Sequence, residues 1–371
     1  MKIQAAVLER GDGTLTRRKL RIEALELEGP RADEVLIRIT SCGVCGTDRG
    51  CIHGLEPYPT PGVLGHEGAG VVEEIGAGVS LVKPGDRVII GFPFCGTCRF
   101  CRAGQPRYCA NGSQLMFSGY RPDGSSPLRR VDGEALAGRF FQQSSWATHA
   151  VAQERQLAVV PDGIDHDLMG PLGCSISTGA GAVLNELRPR PGSSIAVFGA
   201  GAVGLSAIMA ARLTGAATII AVDKVAARLS LARELGATHT VEGGDAAAAE
   251  LRDITSGGVD YAIEATTGAN LVAEACHALA KLGVCAMVGG AKATAQVKLN
   301  HPEMLMEGKT LTGVMGGGGQ TPNFHIALMH LQAQGRFPIE RLMRPYDFAD
   351  IDQAIDDSDS GVTIKPILRM G

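Results

Sequence analysis

The sequence predicts an α/β protein made of two parts, a β-rich first part and a second part in which strands alternate with helices. Its 371 residues are about twice the length of a typical domain, which favours two domains in one chain. In the first 150 residues, short Val/Ile runs are separated by Gly/Pro turns, as at 34–39, 70–75 and 87–90. From about residue 190, apolar runs alternate with helical stretches of about 10 to 15 residues, which is typical of a parallel sheet.

The second part contains the predicted elements in a regular order. A strand at 195–198 is followed by a glycine turn and a helix to about residue 213. The alternation continues through strands at 218–222, 261–265, 284–288 and 310–315, helices over 226–235 and 270–282, a helix from Pro322 to about Gln334, and an apolar tail over 364–368. This order indicates βαβ units and therefore a doubly wound parallel sheet.

Composition and charge exclude several classes of protein. Apolar residues make up 45% and charged residues 20% of the chain, as in globular proteins with a sizeable core. The net charge is −4, and charged residues of both signs are scattered along the chain without a basic stripe, so we expect no nucleic-acid partner. The N-terminus lacks a signal-peptide core, and glycines interrupt the longest apolar stretch, 195–211. We therefore expect a cytoplasmic protein with no membrane partner.

A glycine pattern between the strand at 195–198 and the following helix indicates a nucleotide site. It reads Gly199-Ala-Gly201-Ala-Val203-Gly204. In Rossmann-type folds one glycine makes the tight turn, one lets the backbone approach a pyrophosphate, and one lets helix and strand pack closely. The N-terminus of the helix then offers free N–H groups to the phosphates.

A glycine-rich turn without a ligand can have the same spacing, so the residues around the pattern matter. The next predicted strand ends at Asp223, 19 residues after Gly204, close to the offset of about 20 expected for a carboxylate on the adenosine ribose. This context predicts dinucleotide binding. The charge of Asp223 favours NAD over NADP, whose 2′-phosphate it would repel, although Lys224 and Arg228 could soften that repulsion and are candidate cofactor contacts.

Four of the ten cysteines form a compact motif: Cys95, Cys98, Cys101 and Cys109. In a chain without an export signal, clustered cysteines are interpreted as metal ligands before disulfides. Four thiolates can close around one tetrahedral zinc ion and leave no open position, which predicts a structural site. An iron–sulfur cluster and plain buried cysteines are the alternatives, and the sequence shows no other sign of electron transfer.

A second set of possible ligands is scattered along the chain. Cys45 lies in CGVCGTD, His66 and Glu67 lie in GHEG, and Cys174 ends GPLGC. Two thiolates and a neutral imidazole would balance Zn²⁺ and leave a fourth position for water or substrate, which keeps the metal a Lewis acid. Spacing alone does not single out these residues, because a lone histidine or cysteine is more often part of a core.

Together these motifs resemble the zinc-containing medium-chain alcohol dehydrogenase family. The matching segments follow the family order: CGVCGTD, GHEGAG, the four cysteines, GPLGCSISTGAGA, GAGAVG and Asp223. The segments GRFFQQSSWATHA and FSGYRPDG further resemble the benzyl (aryl) alcohol dehydrogenase branch. The resemblance implies a GroES-like catalytic domain over 1–175 with a structural zinc lobe at about 91–112, a Rossmann NAD-binding domain over 176–320, and a return of 321–371 to the catalytic domain. It places the active site in the cleft between the domains.

The resemblance also implies a role for each matching residue. It implies two zinc ions per chain, with the catalytic one held by Cys45, His66 and Cys174. The further implied roles are that Asp48 orients the His66 imidazole, Glu67 sits behind the metal, Thr47 hydrogen-bonds the substrate oxygen, Thr178 packs near the nicotinamide, and Lys365 reaches the cofactor phosphates. A homodimer or homotetramer is implied as well.

Three features depart from the family or leave alternatives open. Gly50 stands where many members have the histidine that ends the proton relay, and the nearby His53 is a substitute or an exposed loop residue. The run Gly316–Gly319 is a flexible stretch beside the nicotinamide or a permissive turn. Phe140 and Phe141 are candidate walls of an apolar substrate pocket, with ordinary core packing as the alternative.

The expected activity is reversible hydride transfer from a primary alcohol, aromatic or allylic, to NAD, which gives the aldehyde. An aliphatic or polyol dehydrogenase is the first alternative. A catalytically silent NAD-binding protein that keeps the fold for a partner is the second, and the complete set of catalytic zinc ligands argues against it.

Overall fold

The computed structural model describes residues 1–11, 19–290, 292, 294–319 and 321–371, and the chain divides into two compact units. The first unit comprises Met1–Cys174, Gln320–Ala333 and Glu340–Gly371, and the second comprises Ser175–Gly319 and Gln334–Ile339. The segment Gln334–Ile339 therefore lies with the second unit, whereas the sequence assigns all of 321–371 to the catalytic domain. Residue 320, where the predicted Rossmann domain ends, lies outside the described residues.

The strands are numbered in chain order. They are β1 (Lys2–Leu8), β2 (Leu20–Leu27), β3 (Glu34–Gly43), β4 (Gly62–Val63), β5 (Gly68–Ile75), β6 (Arg87–Ile90), β7 (Leu128–Arg130), β8 (His149–Gln153), β9 (Leu157–Val159), β10 (Ser194–Phe198), β11 (Thr218–Asp223), β12 (His239–Glu242), β13 (Val259–Glu264), β14 (Leu279–Met287), β15 (Thr310–Gly313), β16 (Met343–Asp347) and β17 (Lys365–Arg369).

The helices are numbered in the same way. They are α1 (Gly46–Ile52), α2 (Arg99–Arg102), α3 (Gly112–Phe117), α4 (Ser175–Gly181), α5 (Ala202–Thr214), α6 (Ala226–Leu235), α7 (Ala247–Ile254), α8 (Ala269–His277), α9 (His301–Glu307), α10 (Thr321–Ala333) and α11 (Ile351–Asp359). Short 3₁₀ turns and one π-helical segment, Ala182–Leu187, connect some of them. Within the described residues, every helix is too short or too polar to cross a bilayer.

The first unit is built on two sheets. A four-stranded antiparallel sheet has the order β4-β1-β2-β7, and a larger sheet has the order β16-β17-β3-β5-β6-β9, with β8 also paired to β3. Strand β3 is buried along most of its length, as expected for a continuous apolar strand at the centre of a core. It runs four residues beyond the predicted end at residue 39, so it leads directly to the CGVCGTD motif.

The second unit is a parallel sheet in the order β12-β11-β10-β13-β14-β15. In order along the chain this is 3-2-1-4-5-6, the doubly wound arrangement of the Rossmann fold. The strand order reverses between β10 and β13, and ligands of such sheets bind outside the carboxyl ends of the strands at this point. The predicted parallel sheet is confirmed.

One predicted helix boundary is wrong. The sequence predicts a helix over 270–282, but α8 ends at His277 and β14 begins at Leu279. Leu279 pairs with Val259 of β13, so sheet pairing takes over a segment whose residues favour helix when considered alone. Leu282 has a left-handed φ of 65° within this strand, where the run is irregular.

Candidate active site

Four possible metal ligands that are far apart in sequence meet in the first unit. The ligand atoms of Cys45, His66, Glu67 and Cys174 all lie within 4.8 Å of one another, and we call this group the donor cluster. Cys45 lies between β3 and α1, His66 and Glu67 directly precede β5, and Cys174 follows a 3₁₀ turn at Gly170–Gly173. The fold therefore brings together the three ligands that the resemblance implies.

Asp48 fixes the geometry of the donor cluster. Its Oδ2 accepts a hydrogen bond from the backbone N of Cys45 at 3.0 Å, and its Oδ1 accepts one from the backbone N of Gly65 at 3.1 Å. Oδ1 also lies 3.0 Å from Nδ1 of His66. A carboxylate in this position keeps the proton on Nδ1 and leaves Nε2 for a metal. Thr47 lies in the same first turn of α1 and is half-buried.

The chemistry of the donor cluster fits a metal ion. Nε2 of His66 is buried and has no hydrogen-bond partner among the described residues, a costly state for a polar atom unless a ligand completes it. Burial opposes protonation of His66, but the nearby Asp48 and Cys45 raise its pKa well above the usual value. A hydrogen bond from Cys174 lowers the pKa of Cys45 well below its usual value, and the same bond raises the pKa of Cys174. Zn²⁺ would displace the remaining protons when these residues bind it.

The sequence did not predict that Glu67 pairs with Lys365. Nζ of Lys365 lies 3.1 Å and 2.9 Å from the two carboxylate oxygens of Glu67, and it donates to the carbonyl of Val44 at 3.0 Å. Burial raises the pKa of Glu67, and the Lys365 ammonium partly opposes that rise. The buried ammonium of Lys365 thus already has three acceptors within the first unit. The predicted contact of Lys365 with cofactor phosphates stays a prediction.

Position 43 requires a glycine for steric reasons. A Cβ at Gly43 would stand 2.1 Å from Oε2 of Glu67, so a side chain there would displace the carboxylate. Lys365 reaches the same place because β17 pairs with the end of β3, with Ile367 opposite Gly43. An isolated lysine in the apolar C-terminal strand is the sequence signal that could have indicated a buried ion pair.

Phe140 and Phe141 surround the imidazole of His66. The Phe141 ring stacks on it with a centroid distance of 4.3 Å, and the Phe140 ring stands edge-on at 5.4 Å. Phe141 has a φ of 50°, a left-handed backbone conformation that non-glycine residues rarely adopt, so the surrounding structure must impose this conformation. Both rings are buried, and their predicted role as substrate-pocket walls stays a prediction.

His53 has a definite partner. It follows α1 directly, and its Nε2 lies 2.9 Å from Oδ2 of Asp359, whose Oδ1 accepts from Arg49 at 2.7 Å. Although partial burial opposes it, the hydrogen bonds from His53 and Arg49 lower the pKa of Asp359. His53 thus lies at the end of α1 within hydrogen-bond distance of a carboxylate, and its role in a proton relay stays a prediction.

The four cysteines of the lobe also converge. The sulfur atoms of Cys95, Cys98, Cys101 and Cys109 lie within 4.8 Å of one another. Backbone N–H groups point at several of them, including Cys95 N to Cys109 Sγ at 3.3 Å and Cys98 N to Cys95 Sγ at 3.3 Å. Although desolvation opposes it, hydrogen bonds lower the pKa of Cys95 to about 6. The arrangement fits a closed tetrahedral site for a structural ion.

The glycine pattern of the second unit occupies the turn between β10 and α5. A Cβ at Gly204 would stand 1.7 Å from the carbonyl oxygen of Gly199, so only glycine allows this close packing. A Cβ at Gly201 would meet no atom of the described residues within 4 Å, which leaves room for a ligand to approach the backbone. Val203 lies half-exposed in the first turn of α5.

Asp223 ends β11 beside this turn. Its Oδ2 accepts a hydrogen bond from the backbone N of Ala200 at 2.7 Å, and its Oδ1 accepts one from Val225 at 2.9 Å. Arg228 lies 4.0 Å from Oδ2, and Lys224 is exposed. Each carboxylate oxygen has a second lone pair, so Asp223 can still accept from ribose hydroxyl groups.

The run Gly316–Gly319 packs on the segment that contains Thr178, which is buried in α4. All four glycines have left-handed φ values, between 56° and 78°. A Cβ at Gly317 would stand 2.1 Å from the carbonyl oxygen of Ser177, and Asn185 Nδ2 donates to the carbonyl of Gly317 at 3.0 Å. The structure favours the permissive turn over the flexible stretch.

Comparisons with known proteins agree with this geometry. Residues 31–162 match the alcohol dehydrogenase GroES-like domain, and residues 202–332 match the zinc-binding dehydrogenase family. The chain is 40% identical over 369 residues to a geraniol dehydrogenase of Castellaniella defragrans, which covers 98% of this chain and 97% of that protein. The crystal structure of benzyl alcohol dehydrogenase from Acinetobacter calcoaceticus is 39% identical, with a TM-score of 0.95 and full coverage of both chains. An alcohol dehydrogenase zinc-binding domain protein from Burkholderia ambifaria is 43% identical, with a TM-score of 0.96 over 100% of this chain and 99% of that chain.

A β-rich unit with a donor cluster and a Rossmann unit with a dinucleotide turn define a two-domain, metal-dependent dehydrogenase. This chain belongs to the zinc-containing medium-chain alcohol dehydrogenase family, and it is an oxidoreductase of small-molecule alcohols that uses zinc and NAD. The predicted fold class, enzyme class and cofactors are confirmed, whereas the roles of individual residues stay predictions.

Proposed function

We propose that this enzyme oxidises aromatic and allylic primary alcohols to aldehydes with NAD, and that it catalyses the reverse reduction. The observation that carries the proposal is the donor cluster, in which Nε2 of His66 has no hydrogen-bond partner in the described part of the chain while aromatic rings cover the imidazole. The substrate class is supported by relatives named for geraniol, an allylic alcohol, and for benzyl alcohol.

The donor cluster supports the following division of roles. Zinc bound by Cys45, His66 and Cys174 would supply a Lewis acid for the alcohol oxygen. Asp48 keeps His66 in the correct tautomer. Thr47 accepts the hydroxyl proton of the substrate while its own hydroxyl proton is released to solvent water. Glu67, paired with Lys365, sits behind the metal site and can approach the metal during ligand exchange, and Phe140 and Phe141 limit the access of water from their side.

The cofactor contacts are proposed for the second unit. The pyrophosphate lies over the Gly199–Gly204 turn, where Gly201 leaves space and the first turn of α5, with Val203, offers N–H groups. Asp223 accepts from the ribose hydroxyls and disfavours NADP, while Lys224 and Arg228 lie at the edge of this site. Thr178 packs near the nicotinamide.

Two wider properties are proposed on the resemblance and the composition. We propose a homodimer or homotetramer, as the family resemblance implies. A cytoplasmic location is consistent with clustered cysteines that serve as metal ligands in a reducing compartment.

A substrate screen that follows NADH absorbance tests the proposal. We expect kcat/KM to be highest for benzyl alcohol and geraniol, lower for hexanol and lowest for sorbitol, with NAD preferred to NADP. Cys174→Ser should keep NAD binding and lose turnover, because it removes a ligand from the first unit only. Cys51→Ser is the matched control, since Cys51 is a buried thiol of the same unit outside the donor cluster.

Two results would contradict the proposal. A preference for sorbitol would favour a polyol dehydrogenase. One zinc per chain and no turnover with any alcohol would favour a silent NAD-binding protein, because such a protein has no need of the second ion.

A further inference from the structure

A buried arginine of the cysteine lobe has no hydrogen-bond partner among the described residues. Arg107 lies in the 3₁₀ turn Pro106–Tyr108, between the third and fourth cysteines. Its side chain is buried, and Nε and both Nη atoms have no hydrogen-bond partner among the described residues. The guanidinium stands over the ring of Phe92, 4.1 Å from the centroid. A buried cation without hydrogen bonds is costly, so a ligand that completes it is expected.

The charge of this arginine acts on a buried histidine, His325. Both ring nitrogens of His325, in α10, are buried without a hydrogen-bond partner in the described part of the chain. Its ring packs on Gly91, where a Cβ would stand 2.8 Å from Cε1. Burial, and secondly the charge of Arg107, lowers the pKa of His325 to about 3, so its imidazole is neutral. One of its nitrogens can therefore donate to an anion beside the guanidinium.

Two aromatic rings connect Arg107 to the donor cluster. The Phe92 ring, over which the Arg107 guanidinium lies, contacts Phe141 edge-on at a centroid distance of 5.3 Å, and Phe141 stacks on His66. Gln156 fixes this arrangement, because its Nε2 donates to the carbonyls of Gly91 at 2.9 Å and Phe141 at 3.0 Å.

A backbone contact also links the segment that contains Cys174 to the segment that packs against His325. A Cβ at Gly173 would stand 2.2 Å from the carbonyl oxygen of Ile90, so the residue before Cys174 packs directly against the segment that carries Gly91. When ionised, Cys174 also acts on Arg107 electrostatically and raises its pKa, although burial lowers that pKa more. Once Cys45, His66 and Cys174 hold a zinc ion, its two charges balance the two thiolates. Cys174 then offers no net charge to Arg107, and the guanidinium still has no hydrogen-bond partner among the described residues.

We propose that Arg107 and His325 form a carboxylate-binding subsite of the substrate pocket, so that the preferred alcohols carry a carboxylate on the side of the ring remote from the hydroxymethyl group. This inference rests on the proposed function and narrows its substrate class. A guanidinium binds a carboxylate through two parallel hydrogen bonds, and the neutral imidazole adds a third donor. The class is that of the (hydroxymethyl)benzoates, in which an aromatic ring separates the two groups.

The wild-type enzyme provides the first test. We compare kcat/KM for 3- and 4-(hydroxymethyl)benzoate with that for their methyl esters, which keep the ring and the alcohol but remove the charge. We expect at least one acid to exceed its ester by about tenfold or more, the effect of a charge-assisted hydrogen bond. Oxidation of benzyl alcohol without a preference for either acid would overturn the subsite. A failure to oxidise benzyl alcohol and both acids would instead overturn the proposed function.

Substitution of the arginine provides the second test. Arg107→Met should lower the ratio of kcat/KM for the acid to that for the ester by at least about tenfold, and Arg107→Lys should lower it less. Arg102→Met is the matched control, because Arg102 is an exposed arginine of the same lobe. An unchanged ratio in Arg107→Met would overturn the assignment, and if that variant does not fold, the wild-type comparison decides.

A binding measurement separates the substrate from a free anion. Benzoate should raise the Tm of the wild-type enzyme and leave that of Arg107→Met unshifted, because a ligand stabilises only a protein that binds it. Chloride serves as the second probe. If chloride raises the Tm but neither acid is preferred to its ester, the pair binds inorganic anions and the proposed substrate class is wrong.

Discussion

At the scale of single residues, Asp48 decides how the donor cluster is arranged. It accepts hydrogen bonds from the backbone N–H of one proposed metal ligand, Cys45, and from the ring of another, His66. One side chain therefore sets both the start of α1 and the tautomer of the imidazole. Because it is fully buried, no water can replace it without rearrangement of the core.

We expect Asp48→Asn to weaken zinc binding at the donor cluster by about 10- to 100-fold, the usual effect of losing a carboxylate behind a metal-binding histidine. The amide keeps the shape but loses the charge, and it can place an N–H group toward Nδ1. Chelator competition with zinc analysis measures the affinity. The cysteine lobe is the internal control, and equal loss at both sites would indicate general misfolding instead.

The sequence predicted the donor cluster but not all of its contacts. Cys45, His66 and Cys174 were found because their motifs occur in family order, whereas spacing alone did not single them out. The ion pair of Glu67 and Lys365 was missed because 298 positions separate the two residues and only the pairing of β17 with β3 joins them. Arg107 and His325 were missed because an isolated arginine or histidine has no signature of burial.

At the scale of elements, the run Gly316–Gly319 shows why four glycines follow one another. All four residues adopt left-handed φ values, which cost any other residue about 1–2 kcal/mol each. Close contacts add to this cost at Gly317 and Gly318. The run is thus a specified turn, and we expect its glycines to be needed for stability.

Gly318→Ala is expected to lower the free energy of unfolding by roughly 1–2 kcal/mol. An alanine would be strained in the left-handed backbone conformation of this residue, and its Cβ would displace the carboxylate end of Glu186. Gly244→Ala is the matched control, since a Cβ there meets nothing within 4 Å and φ is ordinary. Denaturant unfolding monitored by circular dichroism gives both values. Equal stability of the two variants would favour the flexible interpretation of the run.

Elements were predicted best where local pattern and sheet pairing agree. Strand β6 and helix α6 have the predicted bounds, because the apolar periodicity of each coincides with its packing. The predicted helix over 270–282 failed at its C-terminal end. There, Leu279 joins the sheet through its pairing with Val259, and such long-range pairing cannot be inferred from a single segment.

At the scale of the whole molecule, the sites divide between the two units. Both possible metal sites lie in the first unit, and the dinucleotide turn lies in the second. The side chains of the donor cluster are buried, whereas three cysteines of the lobe are only half-buried. The lobe contributes short elements, α2 and one 3₁₀ turn, so its fold depends on cross-linking by an ion more than on apolar burial.

Two cysteine variants should therefore have opposite effects. Cys101→Ser is expected to remove one zinc per chain and to lower Tm by roughly 10 °C, because the lobe loses its cross-link. Cys174→Ser should abolish turnover with a much smaller shift in Tm, because the surrounding core remains. Zinc analysis, thermal unfolding and NAD titration are measured on both proteins. The glycine turn and Asp223 belong to the second unit, so NAD affinity should stay near the wild-type value in each folded variant. A parallel loss of NAD binding and stability in both variants would show that the two units do not bind their ligands independently.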